Sequence, residues 1–444
     1  MWLDLLFTSL LVVFFMFALY NLPIVITGAR GLLKARRKKM RLREDSVGEL
    51  PMVSIIVPLK NEERVVSRLL KALTNVEYPK GKKEIIVVDD ASTDRTREMC
   101  FQYSLVHPEF RILSRYKSTT KAAALNFGLS KANGEIIATF DGDSVPERDT
   151  LLKAVKHFVD PSVAGVQGRI CSINAGQNML TRFISFEWAV QFEVFTRGKD
   201  ELNLFVALSG TCQFIRKEAI EEVGGWNEEC LAEDTELSLR LIEKDHLIKY
   251  DSEVRTREES PFNVRGLVAQ RSRWYRGNIE IGTKFGRLMK KPNLRRVDAE
   301  VTLFGTFMIL LCATNYFMPL WFFLVPSTLF TFVIAQFTSF ATIFILGIVG
   351  LSLVFAVKPF RLRNLLWLPF IYAYWGFQSL IALYALFQII LRRPKRWHKT
   401  ERSGLITKAE QTIQPNFQLV NSRRRLFAER FHSKKLKTSF LKNK

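Results

Sequence analysis

Long apolar runs stand at both ends of the chain, and a region of mixed polarity lies between them. The N-terminal run extends from Trp2 to about Thr27 with no charge after Asp4, long enough for the ~20 residues that cross a hydrocarbon core. It lacks the basic start and the small-residue cleavage site of a signal peptide. We therefore predict a transmembrane anchor over residues 1–28.

The central region, residues 51–280, alternates short apolar runs with helical, charged stretches. Continuous apolar runs predict buried strands, and the stretches between them predict helices that cover both faces of a mostly parallel sheet. This pattern indicates a soluble α/β domain of a mononucleotide-binding kind. The predicted strands are Val53–Val57, Glu84–Val88, Ile136–Phe140 and Ala164–Gly168.

The C-terminal apolar block, residues 301–391, follows a predicted interfacial segment at residues 281–300. A conventional count divides the block into three spans, at 301–325, 330–357 and 366–390. Three spans after a single anchor would leave the C-terminal tail outside the cell, against the positive-inside rule. Four short crossings, or one interfacial or re-entrant segment, would return it to the cytoplasm. We expect a cytoplasmic tail and leave the number of spans open.

Basic residues lie next to the apolar runs and account for much of the net charge of +22. Eight Lys and Arg fall between Arg30 and Arg43, and the tail from residue 392 to 444 holds sixteen against three Glu. Cytoplasmic flanks of membrane spans collect such residues. We predict a basic juxtamembrane linker at 29–50, a cytoplasmic position for the central domain, and a basic cytoplasmic tail at 392–444 that contacts lipid. No recognised nucleic-acid-binding module accompanies the charge, so we expect no nucleic-acid partner.

Cysteine spacing excludes two classes of site. The five cysteines are odd in number and show neither a C-x-x-C pair nor a Cys/His ligand spacing. We therefore expect neither a disulfide framework nor a zinc site.

Carboxylates follow two of the predicted strands. Asp89 and Asp90 end the second strand, where open α/β sheets bind ligands and where a carboxylate can accept hydrogen bonds from a uracil ring or a ribose. Ser92–Asp94 also suits a helix cap. Asp141 and Asp143 follow the third strand, one residue apart, and can hold a divalent cation that bridges a pyrophosphate.

Three later features add candidate chemistry. Lys121 precedes a helix and could meet phosphate. Glu233 and Asp234 begin another helix, where a carboxylate can deprotonate an acceptor hydroxyl or merely complement the helix dipole. Gln270, Arg273 and Trp274 lie near the membrane boundary, where Arg can neutralise a diphosphate and Trp can stack on a sugar, or both can anchor the interface.

Two segments receive only weak functional interpretations. The aromatic segment Leu180–Thr196 favours packing or membrane contact over a sugar-binding platform, and we assign it no site. Trp397–Arg402, just inside the predicted membrane boundary, could gate the active site.

Four motifs occur in a fixed order: the acidic strand end, D-x-D, the Glu-Asp pair and Q-x-x-R-W. With apolar spans on both sides, this order resembles that of the membrane-bound inverting family 2 glycosyltransferases. The likeness covers about Met52 to Asn278 by motif. Cellulose, hyaluronan, chitin-oligosaccharide and poly-N-acetylglucosamine synthases share the pattern. The resemblance implies an α/β GT-A domain in the cytoplasm and an α-helical transmembrane domain.

The resemblance also implies a role for each matching residue. Asp90, with Asp89 beside it, would contact the nucleotide base, and Lys121 would lie near the phosphates. Asp141 and Asp143 would hold the diphosphate and Mg²⁺ or Mn²⁺. Asp234 would be the base that deprotonates the acceptor, and Glu233 would shape the site around it. Gln270, Arg273 and Trp274 would bind the acceptor sugar and the diphosphate.

These roles imply inverting, metal-dependent β-glycosyl transfer from a UDP-sugar to a growing polysaccharide, processive and coupled to translocation through the membrane. Two alternatives stay open: a single-transfer glycolipid synthase, and a transporter with a regulatory nucleotide-binding domain. The sugar, the acceptor and the need for an accessory subunit are also open.

Overall fold

The computed structural model describes residues 2–38, 49–117, 119–284, 286–312, 329–357, 362–395 and 400–405. Helix α1 (Trp2–Lys38) contains the predicted anchor and continues ten residues beyond its expected end at residue 28. The first part of the predicted basic linker is therefore helical. Residues 39–48 of that linker and most of the basic tail lie outside the described residues.

Eight strands form one sheet at the centre of the chain. They are β1 (Val53–Leu59), β2 (Lys83–Asp90), β3 (Phe110–Arg115), β4 (Ile136–Thr139), β5 (Val145–Pro146), β6 (Val163–Ser172), β7 (Gln213–Arg216) and β8 (Leu247–Glu258). Their order across the sheet is β3-β2-β1-β4-β7-β6-β8-β5. The four strands predicted from apolar runs are confirmed as β1, β2, β4 and β6.

The first half of the sheet is parallel, because β1 pairs in parallel with both β2 and β4, and β2 with β3. Every residue of β1 is buried. Alternate side chains enter two apolar clusters on opposite faces, with Ile55 in one and Ile56 in the other. The second half is mixed, since β7 runs antiparallel to β4 and β6, whereas β8 is parallel to β6.

After α1, the helices form two groups, one between the strands of the sheet and one after the last strand. Those within the catalytic domain are α2 (Val66–Thr74), α3 (Thr96–Ser104), α4 (Lys121–Leu129), α5 (Thr150–Val155), α6 (Met179–Val190), α7 (Arg197–Glu201), α8 (Lys217–Glu222) and α9 (Glu233–Glu243). A 3-10 turn follows α5 at Lys156–Val159, and a π-helical turn, Gln191–Thr196, joins α6 to α7. The C-terminal helices are α10 (Val264–Lys284), α11 (Leu294–Cys312), α12 (Leu329–Ala356) and α13 (Leu368–Ile390).

The predicted interfacial segment is not one element. It comprises the end of α10, a 3-10 turn at Arg287–Lys290 and the beginning of α11. Among the described residues, two helical stretches are long and apolar enough to cross a membrane, Thr8–Ala35 and Asn364–Ile390, the second beginning within a 3-10 turn at Leu362–Trp367. Residues 313–328 lie outside the described residues, so the span count remains a prediction.

A buried ionic cluster joins the catalytic domain to the apolar helices. The Asp298 carboxylate on α11 lies 3.0 Å from Lys199 Nζ on α7 and accepts a 2.5 Å hydrogen bond from the Tyr20 hydroxyl on α1. The backbone N–H of Phe205 donates to the same carboxylate at 2.9 Å. Removing one partner of a buried pair typically costs about 3–5 kcal/mol. The cluster therefore holds three helices in one arrangement beside the sheet.

Candidate active site

The carboxyl ends of the parallel strands place the candidate acidic residues at one edge of the sheet. Leu59, at the end of β1, lies opposite Asp89 in the sheet register. Asp141 and Asp143 follow β4 on the other side of β1. Gly142 between them permits close packing, since a Cβ at this position would lie 2.7 Å from Glu62 Cγ.

Asp89 and Asp90 form a separate part of this edge. Asp90 is fully buried, and its Oδ1 lies 2.5 Å from Arg115 Nη1, at the end of β3. Burial raises the pKa of Asp89, while hydrogen bonds from Ser92 oppose that effect. Neither aspartate lines the cavity described below, so the predicted base-binding pair lies beside it rather than within it.

Lys121 links two groups of carboxylates. Its Nζ lies 2.6 Å from Asp141 Oδ1 and 3.7 Å from Glu233 Oε1, and donates to the carbonyl of Gly210 at 3.0 Å. The hydroxyl of Thr120 accepts a hydrogen bond from the Ala123 N–H and so caps the helix that carries Lys121. Burial alone would lower the pKa of Lys121, but the negative charges of Asp141 and Glu233 outweigh burial and raise it. The ammonium group therefore stays charged between them.

Asp234 lies in the first turn of α9, next to this lysine. Its Oδ1 accepts a 2.7 Å hydrogen bond from the Thr235 N–H. Gly210, with φ of +75°, brings its backbone so close that an added Cβ would lie 3.0 Å from both Asp234 Oδ2 and Lys121 Nζ. Burial and the charge of Glu233 raise the pKa of Asp234 to about 7, and Lys121 partly offsets them. Its carboxylate can thus exchange a proton near neutral pH.

Asp143 is hydrogen-bonded to the backbone just beyond the end of strand β8. Its Oδ2 accepts a 2.8 Å hydrogen bond from the Glu259 N–H, and its Oδ1 lies 3.0 Å from Arg402 Nη2. Glu258 accepts hydrogen bonds from the hydroxyls of Ser144 and Thr211 at 2.6 and 2.5 Å. Burial and the nearby charge of Asp143 raise the pKa of Glu258 to about 8. Several buried acidic groups therefore compete for positive charge here.

The two D-x-D carboxylates fit a divalent cation that completes its shell from a substrate. Within the described residues, no group of three His, Cys, Asp or Glu side chains converges on one point. Mg²⁺ and Mn²⁺ commonly take one or two carboxylates and fill the remaining positions with phosphate oxygens and water. Asp143 Oδ1 is buried and makes no hydrogen bond within the described part of the chain, although Arg402 lies near it. An oxygen in this state suits a cation.

A short C-terminal segment, residues 400–405, lies against this position. The Glu259 carboxylate accepts hydrogen bonds from the Ser403 hydroxyl at 2.6 Å and from the Gly404 N–H at 3.1 Å. Arg402 also donates to the Glu259 carbonyl, and Arg64 pairs with Glu401 at 3.0 Å. Of the stretch considered as a gate, residues 397–399 lie outside the described residues, whereas Arg402 reaches the candidate metal position.

The Q-x-x-R-W residues lie on α10, facing the acidic groups. Burial has the larger effect on the pKa of Arg273 and lowers it overall. The negative charges of Glu233, Asp141 and Asp234 act in the opposite direction and raise this pKa. The guanidinium of Arg271 stacks over the Trp274 ring at 4.3 Å. The indole is therefore fixed on one face by a cation.

These elements enclose a cavity of about 450 Å³. It gathers eight of the predicted residues: Lys121, Asp141, Asp143, Glu233, Asp234, Gln270, Arg273 and Trp274. It also contains residues that the motifs did not reveal. Glu258 ends the alternating strand β8 and Glu259 follows it, so the strand-end criterion used for Asp141 could have found them. Trp188 and Phe192, from the aromatic segment that was assigned no site, line the cavity too.

Comparison with known proteins identifies the family. The model of glycosyl transferase family 2 matches residues 54–224. The probable glycosyltransferase YdaM of Bacillus subtilis is 33% identical over 310 residues, covering 68% of this chain and 72% of that protein. The chain therefore belongs to the family 2 glycosyltransferases and is an enzyme of that class.

Two further relatives are named for a specific product. A beta-monoglucosyldiacylglycerol synthase of Nostoc is 36% identical over 258 residues, 57% of this chain and 54% of the relative. A poly-beta-1,6-N-acetyl-D-glucosamine synthase of Staphylococcus epidermidis is 28% identical over 230 residues, which cover 52% of this chain and 55% of the relative. The chain thus spans about half the length of these two relatives.

A solved structure shows the same fold. The mannosyltransferase PcManGT of Pyrobaculum calidifontis, in complex with GDP-Man and Mn²⁺, matches with a TM-score of 0.53 at 19% identity, covering 87% of this chain and 99% of that one. The likeness supports the GT-A architecture of the α/β domain.

The Arg402 contact generates a prediction about metal affinity. Arg402→Gln should bind Mn²⁺ more tightly in the absence of nucleotide, because the guanidinium no longer competes for Asp143. Removal of a competing ion pair worth about 1.4 kcal/mol corresponds to a roughly tenfold lower Kd. Electron paramagnetic resonance of free Mn²⁺ measures this directly. Arg148→Gln, at an exposed ion pair, is the matched control, and unchanged or weaker binding by Arg402→Gln would contradict the prediction.

Proposed function

We propose that this enzyme transfers a sugar from a UDP-sugar to an acceptor hydroxyl at a membrane surface, with inversion at the anomeric carbon. The observation that carries the proposal is the shared cavity, in which Asp234 and the D-x-D carboxylates lie on either side of Lys121. A base for the acceptor and two cationic side chains for the leaving group, Lys121 and Arg273, are thereby available in one site.

In this mechanism Asp234 removes the proton from the acceptor hydroxyl. The acceptor oxygen then forms a bond to the anomeric carbon as the bond from that carbon to the diphosphate oxygen breaks. A divalent cation held by Asp141 and Asp143 would neutralise the departing diphosphate. Lys121 and Arg273 add fixed positive charge, so positioning and electrostatic stabilisation supply most of the rate enhancement. A single displacement of this kind converts an α-linked donor into a β-linked product.

The donor is proposed to bind along the strand ends. Asp89 and Asp90 would contact the base, with Arg115 beside them as a further donor of hydrogen bonds. The solved relative in complex with GDP-Man and Mn²⁺ supports the use of a nucleotide sugar and a metal. The choice of UDP over GDP follows from the resemblance of the motifs.

Two acceptor classes are proposed. A growing polysaccharide, extended processively and moved across the membrane, follows from the resemblance to polymer synthases, and the Staphylococcus relative supports it. A membrane lipid acceptor is supported by the higher identity to the glucosyldiacylglycerol synthase. Both place the catalytic domain on the cytoplasmic side, which the basic flanks favour.

Removal of the proposed base tests the function. Asp234→Asn should lower kcat by roughly 10²–10⁴-fold, the usual contribution of general base catalysis, without loss of donor binding. The assay uses protein in lipid nanodiscs with Mn²⁺ or Mg²⁺ and a panel of radiolabelled UDP-sugars, and the products are sized. Long polymer would establish a processive synthase, and a single-sugar lipid product would establish a glycolipid synthase. Glu218→Gln, at an exposed site on α8, is the control, and full activity in Asp234→Asn would refute the proposed base.

The raised pKa of Asp234 sets the pH dependence. The carboxylate must be deprotonated to act as a base, so kcat/KM should fall about tenfold per pH unit below about 7. Initial rates across this range, with UDP affinity measured in parallel, separate the base from donor binding. A profile that stays flat well below that pKa would assign the proton transfer to another group.

A further inference from the structure

The cavity continues beyond the residues that the proposed mechanism uses. On one side its wall is formed by α6 and the π-helical turn, through Glu187, Trp188, Gln191 and Phe192. On the other side α10 contributes Asn278, beyond the Q-x-x-R-W motif. We call this extension the α6–α10 cleft.

Helical spacing brings polar and aromatic groups onto the two walls of the cleft. Glu187 and Gln191 are four residues apart, as are Trp274 and Asn278, so each pair lies on one helix face. Aromatic rings beside amides and a carboxylate suit a ligand with both hydroxyl groups and apolar surface. A sugar ring and a lipid headgroup with its first acyl carbons share this chemistry.

Two buried oxygens in the cleft are without a partner. Gln270 Oε1 and Asn278 Oδ1 make no hydrogen bond within the part of the chain that the structure describes. Gln270 is only 6% exposed, so the cost of leaving its oxygen unsatisfied is real. A ligand hydroxyl that donates to these oxygens would remove the cost.

The π-helical turn is a second, independent feature of the same wall. It spans Gln191–Thr196, and the Thr196 hydroxyl donates a 2.9 Å hydrogen bond to the Gln191 carbonyl at its other end. Single π turns within helices are rare and frequently lie at functional sites. Here the turn begins at Gln191 and carries both Gln191 and Phe192 into the cavity wall.

A polar chain connects the cleft to the apolar helix α13. The Glu187 carboxylate accepts hydrogen bonds from Arg271 at 2.8 Å and from the Tyr374 hydroxyl at 2.6 Å. Gln378 continues the chain by donating to Tyr374 at 2.7 Å and accepting from Tyr275 at 3.1 Å. Polar side chains on a helix that could span a membrane usually mark a functional path. The polar chain therefore connects the cleft to a helix that is long and apolar enough to span a membrane.

We propose that Gln191 and Asn278, on the two walls of the α6–α10 cleft, are specificity-determining residues that bind hydroxyl groups of the acceptor. The ligand is a hydroxyl-bearing group presented at the membrane surface, either a lipid headgroup or the terminal sugar of a glycan. This inference rests on the proposed function, because it needs a transferable sugar on the donor side of the cavity. Gln191 and Asn278 themselves lie outside the motifs on which that function is based.

Gln191→Ala and Asn278→Ala test the inference separately from the proposed chemistry. Each variant should raise the acceptor KM roughly tenfold through the loss of a hydrogen bond, with kcat little changed. The acceptors are dioleoylglycerol at graded mole fraction in nanodiscs and, in a second arm, soluble β-linked glucose oligosaccharides. Titration calorimetry with UDP-glucose and Mn²⁺ should show the wild-type donor Kd in both variants. Gln102→Ala, at an exposed position on α3, controls for the loss of an amide.

The arms and the donor measurement separate the outcomes. The arm in which the KM effect appears identifies a lipid or a saccharide source. An unchanged acceptor KM, a parallel loss of donor affinity, or wild-type enzyme that binds donor yet transfers to neither acceptor would overturn the assignment of the cleft. Full transfer by Asp234→Asn would instead refute the proposed base, while a KM effect in the cleft variants would still support the cleft.

Discussion

The arrangement of the active site depends on one buried ammonium group. Lys121 begins helix α4, beneath the parallel half of the sheet, and reaches Asp141 after β4 and Glu233 at the start of α9. Without this positive charge, buried carboxylates from two distant parts of the chain would repel one another within the same cavity. The charge of Lys121 therefore lets the two halves of the site approach. Lys121 stabilises the ionised form of Asp234 only partly, so the pKa of Asp234 stays near neutrality.

The same principle, in which buried charges join separate elements, governs the contact between the catalytic domain and the apolar helices. Asp298 ties α11 to α7 and α1, and Glu187 connects α6 with α10 and α13. These pairs fix the orientation of the cavity relative to the helices that could enter a membrane. A site held this way can meet an acceptor at a lipid surface without a separate carrier domain, which accords with both acceptor classes proposed above.

The parts of the fold that could be predicted are those with a strong local signal. Continuous apolar runs identified β1, β2, β4 and β6, and motif order identified four carboxylates of the cavity, those of Asp141, Asp143, Glu233 and Asp234. Strand β8 was missed although its buried and half-buried residues alternate over eleven of its twelve positions, and β5, with two residues, has no usable pattern. The Asp143–Arg402 contact joins positions 259 residues apart, and no local pattern reveals such a pairing. The π turn at Gln191 likewise reflects tertiary packing rather than local preference.

The central claim is that the sugar is transferred in one displacement, with Asp234 as base and no covalent intermediate on the protein. The most direct test is the anomeric configuration of the product made from UDP-glucose labelled with carbon-13 at the anomeric carbon, determined by nuclear magnetic resonance. The account predicts a β-linked product from the α-linked donor. An α-linked product would show retention of configuration and contradict the mechanism, whatever the identity of the acceptor.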